Sequence, residues 1–356
     1  MENNYIREAA ERAMRELKYN GLEIFMMNVG NADCFLVIQY QTGGNKDVYL
    51  IDGGKKSDAE TIIGRIKGLG ITHIDYVINT HPHDDHAGGL VDIIKDTTLT
   101  FGQVWMHASW TRIDVDAIRD LLGRNSAIKV LDKFENSLAT QIDVFNTCVN
   151  RKIPVYEPFA GDTIGSFKIL GPTPEFYASC LAEFNNLTSV KQWNDYLTNQ
   201  ASQNLMIHTE AAQADDKLEG TTSPENESSV IMTLEHNKQK FLFCGDAGCN
   251  AFRDISNRNQ AGEIQNIHWM QAPHHGSSKN VWPELIEWMN PDTVYISCKG
   301  SAKHPSRKLV NHLKAKCSSN VYATYYPQKS DWTWIQFNKG TTPDRNTSVA
   351  AALYNA

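Results

Sequence analysis

Thr80-His81-Pro82-His83-Asp84-Asp85-His86 places five potential metal-binding side chains within six positions. Imidazole nitrogens and carboxylate oxygens that converge at about 2 Å are the donors a zinc-like divalent ion takes. Donors at alternate positions, followed by two adjacent ones, suit a loop wrapped around two ions; a helix would use positions i and i+4. Two later segments offer matching donors after apolar runs. Phe243-Cys244-Gly245-Asp246 closes one, and Pro273-His274-His275-Gly276-Ser277 closes another.

These donors need strands to present them, and the hydrophobic pattern supplies strands. Residues 74–79 (IDYVIN) read as a buried strand running directly into the histidine loop, and 90–95 are helical after Gly88-Gly89. Residues 23–40 read as a hairpin about Gly30-Asn31, with further strands at 47–52, 101–107, 153–156 and 166–170. Residues 57–69 carry apolar side chains at helical spacing, and 114–149 are mostly helical in character. In the second half, 229–235, 240–244, 267–272, 293–297, 322–325 and 332–337 read as strands, and 281–289 and 306–316 as helices. Two β-sheets with helices outside them fit this order. Residues 1–21 read as an amphipathic helix (Ile6, Ala10, Met14, Leu17), 173–226 as a polar insertion and 339–356 as a tail.

Composition narrows the class. The chain has 356 residues, 41% hydrophobic and 21% charged, which is enough to bury a full core. No run approaches the ~20 apolar residues of a membrane span, so the cytoplasm is the expected compartment. Seven scattered cysteines without a CxxC pair argue against a disulfide framework or a zinc ribbon. A net charge of −7 argues against a surface coated in positive charge, though not against a local basic patch. No GxxxxGK[ST] phosphate loop and no Gly-x-Ser-x-Gly nucleophile turn occurs.

His81-Pro82-His83-Asp84-Asp85-His86 resembles the HxHxDH signature of the metallo-β-lactamase superfamily. The resemblance implies an α+β fold, a four-layer αβ/βα metallo-β-lactamase sandwich over residues 22–338 with the insertion within it, and two divalent ions, Zn²⁺ or Mn²⁺, at one edge. By family role His81 and His83 would bind the first ion, Asp85 and His86 the second, and Asp246 both. One of His274 and His275 would complete the second ion's ligands. His275, which precedes Gly276, is preferred, and the other would contact substrate. Asp33 and Asp52 would brace the loop. Met27-Asn28-Val29-Gly30-Asn31-Ala32-Asp33, Leu50-Ile51-Asp52-Gly53-Gly54, residues 226–232, His274-His275-Gly276-Ser277 and His304-Pro305 occur in an order similar to ComEC-type domains. Asn28 and Ala32 depart from the usual Asp-Val-Gly-Gln-Gly-Asp turn. The superfamily's usual third histidine of the first site is missing, and Asn226 and Ser229 hold the matching place. His107, in the apolar run Val104-Trp105-Met106, suits a core or bracing role better.

Two adjacent ions would lower the pKa of a water between them and neutralise charge on a phosphoryl or carbonyl oxygen, with Asp84 or Asp85 orienting that water. Residues 279–316 carry Lys279, Lys299, Lys303, Arg307, Lys308, Lys314 and Lys316, a basic segment suited to phosphate. Lys303, His304, Ser277, Asn226 and Ser229 are the candidate substrate contacts. The expected activity is metal-dependent hydrolysis of DNA or another nucleotide phosphodiester. The alternatives are hydrolysis of an ester, lactone, lactam or thioester on the same metals, and a regulatory or binding protein with a structural metal site. The acidity of the insertion counts against long DNA.

Overall fold

Along β1 (Gly21–Met27), Leu22, Ile24 and Met26 alternate with Phe25 and Met27, and both sets are buried. A strand that is apolar on both faces needs cover on both. β2 (Phe35–Tyr40) and β3 (Lys46–Ile51) repeat the pattern. Phe35, Val37, Tyr49 and Ile51 join Leu22, Ile24 and Met26 in a core shared with a second sheet. Leu36, Ile38, Val48 and Leu50 join Phe25 in a separate core beneath helices.

The computed structural model describes residues 21–41, 45–108, 110, 131–132, 135–136, 138–184, 218–299, 304–324, 332–338 and 344–346. After β3 come α1 (Ala59–Gly68), β4 (His73–Ile78), α2 (Asp84–Ala87), α3 (Leu90–Lys95), β5 (Thr100–Trp105), α4 (Ala139–Arg151) and β6 (Val155–Tyr156). Then follow β7 (Thr163–Ile164), β8 (Phe167–Gly171), α5 (Pro174–Glu183), α6 (Pro224–Glu227), β9 (Ile231–His236) and β10 (Gln239–Phe243). The chain continues through α7 (Cys249–Asn257), β11 (Trp269–Gln271), α8 (Pro283–Met289), β12 (Thr293–Ile296) and α9 (Arg307–Lys316). The remaining strands are β13 (Asn320–Ala323), β14 (Trp332–Asn338) and β15 (Asp344–Asn346).

One sheet runs β15-β14-β1-β2-β3-β4-β5-β6 and the other β13-β12-β11-β10-β9-β8-β7. Their inner faces meet in edge-to-face aromatic contacts, Phe35 lying 5.6 Å from Phe243 and 6.1 Å from Trp269 between ring centroids. On the outer face of the first sheet, Ile62 and Ile66 of α1, Leu90, Ile93 and Ile94 of α3 and Val144 of α4 close the second core. Helices α5, α7, α8 and α9 cover the other sheet through Phe176, Phe252, Leu285 and Leu309. The result is the two-sheet α+β sandwich expected from the sequence.

Three segments refine the sequence reading. Helix α7 was not anticipated: polar Asn250, Arg253, Asp254 and Ser256 interrupt the buried stripe of Ala251, Phe252 and Ile255. Within the expected tail, β15 pairs antiparallel with β14. The expected insertion opens with α5, whose first turn is capped by the Thr173 hydroxyl accepting from the Phe176 amide at 3.0 Å. Residues 1–20 and most of 114–137 and 185–217 lie outside the described residues. Among the described residues, no helix is long and apolar enough to cross a membrane.

Candidate metal centre

The candidate donors leave the C-terminal ends of strands, β4 and β10 supplying His81, His83, Asp85, His86 and Asp246, and β11 the histidine pair. His81 Nε2 lies 3.2 Å from His83 Nδ1 and 3.9 Å from Asp246 Oδ2. His275 Nε2 lies 3.5 Å from Asp85 Oδ2, and His86 Nε2 lies 4.0 Å from Asp85 Oδ1 and 3.2 Å from Asp246 Oδ1. In each set, His81/His83/Asp246 and Asp85/His86/His275, the donor atoms lie within 4.8 Å of one another. Two donors each about 2 Å from one ion stand roughly 3–4 Å apart, so both sets have the right scale. His86 Nε2, His275 Nε2 and Asp246 Oδ1 are buried without a hydrogen-bond partner. Orphaned buried donors and acceptors are costly, and a shared pair of cations resolves all three. The residues therefore fit a two-ion centre.

The opposite ring nitrogens are held. His86 Nδ1 is 2.8 Å from Asp52 Oδ2. His81 Nδ1 is 3.1 Å from the Thr80 hydroxyl, which donates to Asp52 at 2.6 Å. His275 Nδ1 donates to the Ser297 carbonyl at 3.0 Å. A proton fixed on Nδ1 leaves the Nε2 lone pair for a metal. Asp52, in a left-handed conformation at φ 57°, also accepts from the Thr80 amide at 2.8 Å and from Asn79 at 3.1 Å. Asp33 accepts from Gln271 at 2.5 Å. Both carboxylates brace the loop.

Charge balance points the same way. Asp33, Asp52 and Asp246 are buried and Asp85 is half-buried, and no Lys or Arg among the described residues pairs with any of them. Burial raises the carboxyl of Asp246, but the charges of His86 and His275 hold it well below its usual range. Burial likewise works against ionised His275, yet the neighbouring carboxylates of Asp246, Asp33 and Asp85 push it up to about 10. Without cations, His86 and His275 carry the compensating charge as protons.

Residues 27–109 match the family model described as the metallo-beta-lactamase superfamily. That match spans β2 to β5 and the histidine loop. Solved structures similar to this chain include the hydrolase AbOPH of the β-lactamase superfamily, at 14% identity over 88% of this chain and 80% of that one, with a TM-score of 0.33. A motif variant of the metallo-β-lactamase from Cronobacter sakazakii shows 13% identity over 69% and 75%, with a TM-score of 0.31. A long form RNase Z from yeast shows 13% identity over 80% of this chain and 38% of that one, with a TM-score of 0.38. No curated protein matches the chain.

The structure brings together His81, His83, Asp85, His86, Asp246 and His275. Asp84 is not brought in. It is exposed and accepts from the Thr140 hydroxyl at 2.5 Å, because adjacent residues in the first turn of α2 project about 100° apart. Two expected substrate contacts are buried in hydrogen bonds beside the donor sets. The Ser229 hydroxyl accepts from the Asp246 amide at 3.2 Å, and buried Asn226 donates to Thr222 at 2.7 Å. The Ser277 hydroxyl is buried and accepts from the Lys279 amide at 3.2 Å. His304 is half-buried, its ring 5.3 Å from His274 and 6.2 Å from His275. Lys303 lies outside the described residues. His107 stacks 4.0 Å from Tyr177 in the core. Sequence reasoning missed Asn280 and Gln271, which hold His274 and Asp33; neither has a distinguishing neighbour in sequence.

Proposed function

We propose that this chain is a two-metal hydrolase of phosphodiesters, acting on DNA or another nucleotide phosphodiester. The observation that carries this reading is Asp246, whose two oxygens face the two donor sets separately. His81, His83 and Asp246 would hold one ion, Zn²⁺ or Mn²⁺, and Asp85, His86, His275 and Asp246 the other. Such ions supply an activated water and neutralise charge on phosphoryl oxygens.

The protein's own groups set the geometry. Asp246 fixes the spacing of the two sets, while Asp52, Thr80 and Ser297 fix the ring orientations. His304 lies beside His274, 5.3 Å between ring centroids, and would bind an anionic oxygen of the substrate. Lys279, Lys299 and Arg307 are exposed on segments that flank the histidine turn. The start of α9 is tied to that turn by Ser306 N–H donating to the Gly276 carbonyl at 2.8 Å. A basic rim around a cation pair favours phosphate over a neutral ester, and the ComEC-type order of motifs supports the same substrate class.

A substrate panel tests this reading. Chelator-stripped protein reloaded with Mn²⁺ or Zn²⁺ is assayed against single- and double-stranded DNA, a cyclic dinucleotide, a lactone, a thioester and a β-lactam. Phosphodiesters should turn over with the others near background. Turnover of the lactone, thioester or lactam alone would reassign the activity to acyl substrates.

A further inference from the structure

His274 has no role in either donor set, yet it is built into the centre. His274 and His275 sit at φ 49° and 54°, followed by Gly276 at φ 78°. Left-handed backbone is strained at a non-glycine position. In a strand the two imidazoles would point to opposite faces. The left-handed turn instead sends both toward Asp246 and Asp85: His274 Nε2 lies 3.7 Å from Asp246 Oδ2, and His275 Nε2 lies 3.5 Å from Asp85 Oδ2.

The two oxygens of Asp246 sort the histidines. Oδ1 faces His86, at 3.2 Å. Oδ2 faces His81 at 3.9 Å and His274 at 3.7 Å. His274 therefore approaches the oxygen that belongs to the set of His81 and His83. It stands outside the cluster of mutually close donors there and reaches it through Asp246.

Its proton is placed by a neighbour. Asn280 Nδ2 donates to the Asp246 and Ala247 carbonyls at 2.9 and 3.2 Å, which fixes the amide. Asn280 Oδ1 is left to accept from His274 Nδ1–H at 3.2 Å. The Nε2 lone pair then points into the centre, the same division of labour seen at His81, His86 and His275. Asn226 Nδ2, at the place where the resembled family has a histidine, lies 3.3 Å from the same Nδ1 and donates to the Thr222 hydroxyl at 2.7 Å, so Asn280 Oδ1 is the amide acceptor facing His274.

We infer that His274 is the third nitrogen donor of the first metal, brought in from the β11 turn, so that one left-handed dipeptide serves both ions. The inference rests on the two-metal reading but not on the substrate. Its test reads bound metal rather than turnover.

Co²⁺ is titrated into the full-length chelator-stripped protein, with ion content measured after dialysis and the cobalt absorption bands recorded. Wild type should hold two ions. His274→Ala should keep one at wild-type affinity and bind the other at least about tenfold more weakly, with altered bands. His274→Cys should restore the second ion and add a thiolate-to-cobalt charge-transfer band, which only a direct ligand produces. Two ions with unchanged affinity and bands in His274→Ala, or no charge-transfer band in a folded, two-ion His274→Cys, would overturn the assignment alone. Fewer than two ions in wild type would overturn it together with the two-metal reading. Two ions without phosphodiester cleavage would overturn only the substrate.

Discussion

Asp52 Oδ2 stands 2.8 Å from His86 Nδ1, a carboxylate at the end of β3 fixing a ring that follows β4. The same side chain collects the Thr80 amide, the Thr80 hydroxyl and Asn79. Asp52→Asn keeps the size and tolerates the left-handed backbone but loses the charge. It should leave the fold intact and weaken metal binding by about 10- to 100-fold. A chelator-competition titration measures this; unchanged affinity would remove Asp52 from the support of the centre.

Metal binding should release protons. Burial opposes charge on His275, but Asp246, Asp33 and Asp85 push it up to about 10, so at neutral pH the metal-free ring is protonated. Affinity should therefore rise with pH, by up to about tenfold per unit for each proton displaced. Calorimetry in buffers of differing ionisation heat counts the protons. An affinity flat between pH 6 and 9, on the order of a few units around neutrality, would contradict the protonated ring.

Glu227 offers a pH test away from the metals. Burial pushes its carboxyl up to about 7 from 4.5, although it accepts from the Ala251 amide at 2.9 Å at the start of α7. A raised acid holds its proton in the folded state where the unfolded chain has lost it. Stability should thus fall as pH rises from about 4.5 to about 7, by about 3 kcal/mol in all. Glu227→Gln should lack that component, so urea unfolding at pH 5 and pH 8, chosen to lie about either side of the window, should separate it from wild type. Equal pH slopes in the two proteins would refute the assignment.

The loop's seat depends on bare backbone. A Cβ on Gly89 would run into the Gly53 carbonyl oxygen, while its amide donates to the Gly54 carbonyl at 3.0 Å. Gly89→Ala must push the histidine loop off the Asp52-Gly53-Gly54 turn. A loss of about 2 kcal/mol or more and a drop in metal occupancy are expected. Thermal unfolding and metal analysis report both, and a variant as stable and as loaded as wild type would contradict this packing.

Much of the centre was legible because its chemistry is local. His81 to His86 lie in one loop, and Gly-Asp and His-His follow apolar strands. The alternation in residues 21–51 likewise announced a sheet buried on both faces. What was hidden depends on long-range contact or on backbone angle. Ser229 and Asn226 matched a family position yet turned out to face Asp246 and His274, a fact set by how β9 pairs with β10. Asp84 and Asp85 are chemically identical neighbours, and only the first turn of α2 separates them. The aim of His274 depends on a left-handed turn that an uncapped histidine pair does not reveal.

The central claim is a two-ion centre that cleaves phosphodiesters. The most direct measurement is cleavage of single-stranded DNA by the chelator-stripped protein, with and without Mn²⁺ or Zn²⁺, beside Asp85→Ala and His275→Ala. The account predicts cleavage only with added metal, and its loss in both variants while each remains folded. Metal-loaded wild type that leaves DNA and small phosphodiesters intact, or variants that cleave as well as wild type, would contradict it.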